Sequence, residues 1–360
     1  MSARAPVLTL GPRALGRGGP CAWNRSSQSR GYLRVRIDSD AALRRRPGEG
    51  TARCTPDHAR DFRHLHASRP PPSVSLMKEA TQVSTMPPPR LSLPARLSVT
   101  VLGCLAIWVS VTHLTALWWG DEMTLGRHVA NAVGVLLLAV PMVVVLRRLI
   151  DRRPLATLGL PGWSTALTDL VRGMLTWVLP AGIGLAAVVL FGWVEIRVDA
   201  APGELLGAVL LLILLVFVFE AFPEELIFRG YIYRNLADVM APWVAVVVQA
   251  LLFSAFGTVL WVITAGWGVL LERSVMFFAM AVVVGLLRVM SGSIWGPIGF
   301  HLAFQVTMQL VLSSHYAAIE VDDEAIFTLA TAVLAFCAAT TVAALLWRGP
   351  VNWSTPEWAT

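Results

Sequence analysis

The sequence predicts an all-α membrane protein, a polytopic transmembrane helical bundle of about eight spans. Three observations predict it. Hydrophobic residues make up 56% of the 360 and charged residues only 14%, whereas soluble domains carry about 25% charged residues. After residue 96 the chain reads as successive apolar runs, most of them near the ~20 residues that cross a hydrocarbon core. The loops between those runs alternate between Arg-rich and acidic or mixed, and Arg/Lys asymmetry of this kind orients a membrane protein.

Residues 1–95 come first. They are rich in Arg, Pro, Gly and Ser and have no periodic apolar face, the composition of a disordered segment. Residues 1–100 hold 17 of the 29 basic residues and 6 of the 23 acidic ones. The overall charge of +6 therefore averages a strongly basic lead with a mildly acidic remainder. Such an Arg-rich, acid-poor start can mimic an organellar transit peptide. A translation start assigned too early is the simpler expectation, because Met77 and Met86 each open a plausible short lead-in to the first span. The charge would suit anionic lipid or nucleic acid, but with no motif and few interleaved aromatics, nucleic acid is not an expected partner.

The spans are expected near 98–119, 128–146, 173–194, 204–222, 242–260, 274–290, 293–314 and 325–347. Arg90 and Arg96 precede the first. Arg147, Arg148, Arg152, Arg153 and Arg172 lie between the second and third, Arg229 and Arg234 follow the fourth, Arg288 ends the sixth and Arg348 ends the eighth. The opposite loops carry Asp121 and Glu122, then Glu195, Arg197 and Asp199, then Glu320, Asp322, Asp323 and Glu324. The two sets alternate without conflict, so both termini are expected in the cytoplasm. Residues 96–348 form the membrane domain and 349–360 a short tail. Cys21, Cys54, Cys104 and Cys337 make no C-x-x-C pair, so neither a disulfide framework nor a thiolate metal site is expected.

Two polar segments interrupt the apolar pattern. The first runs Phe219-Glu220-Ala221-Phe222-Pro223-Glu224-Glu225-Leu226-Ile227-Phe228-Arg229-Gly230. Pro223 suits the first turn of a helix better than its interior, so the fourth span is expected to kink there and a new helical stretch to begin. Glu225 and Arg229 are then i,i+4 in the favourable order for an ion pair. Glu224 points about 100° away, free to face a cavity, and Glu220 lies one turn earlier on the same face. Ionisable groups at membrane depth mark functional sites; the competing explanation is an ion-paired helix end. The second segment runs Ser293-Ile294-Trp295-Gly296-Pro297-Ile298-Gly299-Phe300-His301-Leu302-Ala303-Phe304-Gln305. His301 and Gln305 share one helix face, with His301 about 12 Å deep from Ser293. A lone intramembrane His is often a hydrogen-bonded packing residue; its amide neighbour one turn on favours a shared polar pocket.

Taken together, these motifs resemble the CPBP family, the CAAX prenyl proteases and bacteriocin-processing (Abi) enzymes, with the fit best over residues 150–315. Glu224-Glu225-Leu226-Ile227-Phe228-Arg229-Gly230 matches the family's first motif, and Arg153-Pro154-Leu155-Ala156-Thr157-Leu158-Gly159-Leu160 is similar to the segment before its third span. The second motif, Phe-x-x-x-His, reads Phe253-Ser254-Ala255-Phe256-Gly257, with Gly at the His position. The third, His-x-x-x-Asn, reads His301-Leu302-Ala303-Phe304-Gln305. The resemblance implies Glu224 as the base that activates a water, Arg229 as the group that fixes Glu225, and His301 and Gln305 as oxyanion donors. Gly257 removes one partner of that water and is expected to leave a gap about the size of an imidazole. No cofactor is expected; a zinc ion would have Glu224 and His301 as ligands, one short of the three protein ligands usual in hydrolytic sites.

Three functions follow from this reading. The first is an intramembrane endopeptidase in a bacterial cell membrane, its cavity opening to the cytoplasm, acting on a membrane-associated peptide or protein. The second is a catalytically impaired relative that binds a membrane partner, motivated by Gly257 and Gln305. The third, a transporter using Glu220 and Glu224 as a proton relay, lacks the inverted repeat such proteins show.

Overall fold

A computed structural model describes residues 88–313 and 315–357. Most of the basic lead, with Met77 and Met86, lies outside the described residues. Eight long helices follow one another: α1 (Leu93–Trp119), α2 (Leu125–Ile150), α3 (Trp163–Leu190), α4 (Pro202–Ala237), α5 (Pro242–Ala265), α6 (Leu270–Ser291), α7 (Trp295–Leu312) and α8 (Glu324–Leu346). Seven are long and apolar enough to cross a membrane; α7 is not among them. It has 18 residues, about 27 Å of helix, and carries His301, Gln305 and Gln309 on one face. The chain is thus a polytopic helical bundle. Large apolar side chains such as Leu102, Ile183, Leu206, Leu210 and Leu214 are exposed on its outside, as lipid contact requires.

Local sequence explains the helix ends. Pro94 sits in the first turn of α1 and Pro242 in that of α5, where a missing N–H costs nothing. The first helix therefore begins at Leu93, a few residues inside the segment assigned to the tail. Asp323 caps α8 by accepting from the Ile326 N–H. Gly120, Gly266 and Gly292 follow the last turns of α1, α5 and α6 with φ near +81°, +81° and +68°, a region open to glycine.

α4 is continuous through Pro223, and a fresh α-helical stretch, Phe222–Glu225, opens there with the proline in its first turn. The helix runs through it with two widened π-helical turns, Phe217–Ala221 before it and Leu226–Ile232 after it. A π turn takes in one extra residue, and such turns recur at functional sites.

The α3–α7 contact fixes the second polar segment. A Cβ at Gly173 would fall 2.0 Å from the Gly296 carbonyl oxygen, and one at Gly299 would fall 2.0 Å from that of Leu170. The two backbones therefore touch at glycines, as in small-residue membrane crossings, two residues before His301. At one end of the bundle, two short strands, Ile196–Val198 and Ile319–Val321, pair antiparallel with Arg197 opposite Glu320. They join two loops that the sequence treats as separate.

The other end is closed by a buried polar clasp. Asp151, fully buried, accepts from Arg96 Nη1 (3.1 Å) and Tyr231 Oη (3.0 Å) on Oδ1, and from Arg147 Nη1 (3.0 Å) and Asn235 Nδ2 (3.1 Å) on Oδ2. Arg147 also donates to Thr157 Oγ1. One carboxylate thus ties α1, α2 and α4 together, and Arg147 is a core residue as well as a loop charge.

Candidate active site

The two polar segments meet. Glu225, fully buried, accepts on Oε1 from Arg229 Nη1 at 3.1 Å and lies 2.9 Å from His301 Nδ1. A carboxylate only accepts, so His301 Nδ1 carries the hydrogen. The ring's Nε2 can donate when the ring is charged and accept when it is neutral. Arg229 is held from three directions. Glu225 takes one Nη, the Phe253 ring lies 4.4 Å from the guanidinium carbon, and its backbone oxygen accepts from Arg288 Nε at 3.1 Å.

Glu224 is placed differently from its neighbour. It is buried, with 9% of its surface exposed, and makes no hydrogen bond or ion pair among the described residues. Glu220, Glu225, Arg229 and the Cys104 thiol on α1 lie within its electrostatic reach. The helix spacing thus separates a committed Glu225 from an uncommitted Glu224. The clefts of about 450 Å³ and 320 Å³ at the surface are lined by other residues.

Gln305 does not join His301 directly. Its amide points at Glu220, which also accepts from Gln309 Nε2 at 2.9 Å. His301, Gln305 and Gln309 form a polar ladder along α7, facing Glu225 and Glu220 on α4. Beyond the ladder the Tyr316 hydroxyl meets His128 Nδ1. Burial, and then the charge of Glu220, raises the Tyr316 pKa above its ordinary value, so this hydroxyl keeps its proton. Gln309, Tyr316 and His128 escaped the sequence reading. The helical period, i+8 from His301, would have found Gln309; nothing local marks the other two.

Gly257 corrects an expectation. No imidazole-sized gap lies beside it, because the Phe277 ring of α6 occupies that space. A Cβ at 257 would fall 2.9 Å from Phe277 Cδ2 and 3.0 Å from Cε2. Phe253, Phe256 and Phe228 continue the aromatic packing behind Arg229.

The residues present do not suit a zinc site. Among the described residues no group of three or more His, Cys, Asp or Glu could hold a metal ion, whereas hydrolytic zinc is normally bound by three protein ligands. His301 Nδ1 is committed to Glu225, and no step is derived through a metal.

No curated protein matches the chain. Residues 206–307, which contain Glu224, Glu225, Arg229, Gly257, His301 and Gln305, match the family described as Rce1-like, type II CAAX prenyl endopeptidase Rce1-like. Over this segment of its membrane bundle, the chain is similar to that CAAX-protease family.

Proposed function

We propose that this protein is an intramembrane endopeptidase that hydrolyses a peptide bond of a membrane-associated substrate, with Glu224 as general base. The observation that carries the reading is the unequal treatment of adjacent carboxylates. Glu225 is spent on Arg229 and His301, while Glu224 has no hydrogen-bond partner among the described residues. In this scheme a water enters beside Glu224, gives it a proton and attacks the scissile carbonyl. The developing oxyanion is met by His301 Nε2–H, oriented through Nδ1 by Glu225. Gln305 supplies the second donor, since its amide carries two hydrogens and Glu220 needs one. Glu224 then delivers its proton to the leaving amine. The Arg-rich end of the bundle, with Arg96, Arg147, Arg148 and Arg153, faces the cytoplasm by the positive-inside rule, which puts the site nearer that side.

The test is cleavage of a peptide library by the protein in lipid nanodiscs, with products mapped by mass. Cleavage at defined bonds that disappears in Glu224→Gln is expected. Intact peptides with the wild type, or equal cleavage by the variant, would overturn the proposal.

Phe277 favours a second reading, a catalytically impaired member that binds a membrane partner. It fills the space where the family's second motif places a histidine, so no imidazole shares the water with Glu224. On that reading the wild type is inert and Gly257→His/Phe277→Ala gains hydrolysis.

A further inference from the structure

Outside the site, the segment after α8 does not hang free. Val351 and Trp353 are half-buried and, with Leu286 and Met290 of α6 and Thr340 and Ala344 of α8, line a cleft of about 450 Å³. Asn352 Oδ1 then accepts from the Ser354 and Thr355 N–H groups, and its amide donates to the Thr355 oxygen. This turn aims Glu357 back at the bundle. The Glu357 carboxylate accepts from Tyr233 Oη at 2.8 Å and pairs with Arg234. It borders a cleft of about 320 Å³ together with Ala156, Gly159 and Arg288.

The cleft is prepared for an anion before Glu357 arrives. Arg288 is 4% exposed and its Nε is fixed on the Arg229 oxygen. Its guanidinium lies so close to Gly159 that a Cβ there would come within 3.0 Å of it, and Gly159 has φ +80°. The Tyr233 ring supports its other side, 5.2 Å from the guanidinium carbon. A rigid, pre-oriented guanidinium is the group of choice for a carboxylate. Arg234 already has Asp238 at 3.0 Å, so Glu357 adds a second carboxylate to a site whose deeper cation is Arg288.

We propose that this face of the bundle is a docking site for a short peptide bearing an aromatic residue and a carboxylate four positions later, and that residues 351–357 are its built-in occupant. The occupant shows the recognition chemistry: an aromatic at the edge of an apolar cleft, an Asn turn, and an acid between two arginines. Arg288 reaches from this cleft to the backbone of Arg229, so a bound peptide sits one residue away from the Glu225 ion pair. A tethered occupant competes at an effective concentration in the millimolar range. External peptide therefore binds the intact protein weakly until the segment is released.

The test uses the full chain in nanodiscs and a fluorescein-labelled peptide of sequence GPVNWSTPEWAT, read by anisotropy. Releasing the built-in occupant in Trp353→Ala/Glu357→Gln should tighten peptide binding by roughly tenfold or more, because the apparent affinity scales with the fraction of open sites. The same peptide with Gln in place of its Glu should not bind, and adding Arg234→Gln, at a partly exposed position, should reverse the gain. Equal affinity of the wild type and the double variant, or equal binding of the Glu and Gln peptides, would overturn the proposal. The readout is binding alone, so it stands whether or not the protein cleaves peptides.

Discussion

Glu224 and Glu225 are chemically identical and adjacent, yet Glu225 is paired with Arg229 and His301 while Glu224 has no hydrogen-bond partner among the described residues. The Glu225–Arg229 pair could be read from the i,i+4 spacing. The His301 contact could not, because it joins residues 76 apart in sequence. Phe277 was equally hidden: the glycine at 257 is visible in the sequence, but the ring that uses its space comes from another helix. Gly257→His is therefore expected to destabilise by about 1–3 kcal/mol through overpacking, read as a fall in the midpoint of thermal unfolding in detergent. Adding Phe277→Ala should recover most of that loss. An unchanged midpoint in the single variant would show that Phe277 moves aside freely.

At the scale of the element, α4 and α7 carry the site, and glycines set where α7 lies. The apolar runs announced the eight helices, since period and length decide them. What periodicity cannot register is a widened turn: Pro223 reads as a break, and only the packing of neighbouring helices lets the π turns carry α4 through it. The α3–α7 crossing was likewise invisible, because a backbone-to-backbone contact leaves no apolar signature beyond the glycines themselves. Gly299→Ala should cost about 3 kcal/mol, since its new carbon would meet the Leu170 carbonyl at 2.0 Å. Gly182→Ala, on α3 with nothing within 4 Å, should leave the unfolding midpoint unchanged. Equal effects at the two positions would contradict a tight crossing at Gly299.

At the largest scale, the described residues form a membrane-type helical bundle pinned at one end by Asp151 and at the other by the strand pair Ile196–Val198 and Ile319–Val321. The clasp joins residues 55, 80 and 84 apart, so a sequence could show its charges but not their convergence. Asp151→Ala should cost about 3–5 kcal/mol, the usual penalty for stranding buried charged partners. Glu195→Ala, which breaks an exposed pair with Arg197, should have no measurable effect on the same unfolding curve. The positive-inside orientation predicts that a cysteine replacing Arg152 is labelled by an impermeant thiol reagent only from the cytoplasmic side, and one replacing Asp199 only from the opposite side; the reverse pattern would move the site to the other face. The claim on which the rest depends is that Glu224 is the base. The most direct measurement is the single-turnover rate of cleavage of a mapped peptide by the wild type and by Glu224→Gln in the same nanodiscs, with thermal unfolding followed in parallel. A fall of about 10²–10⁴-fold at an unchanged unfolding midpoint is predicted; a folded Glu224→Gln protein that cleaves at the wild-type rate would contradict it.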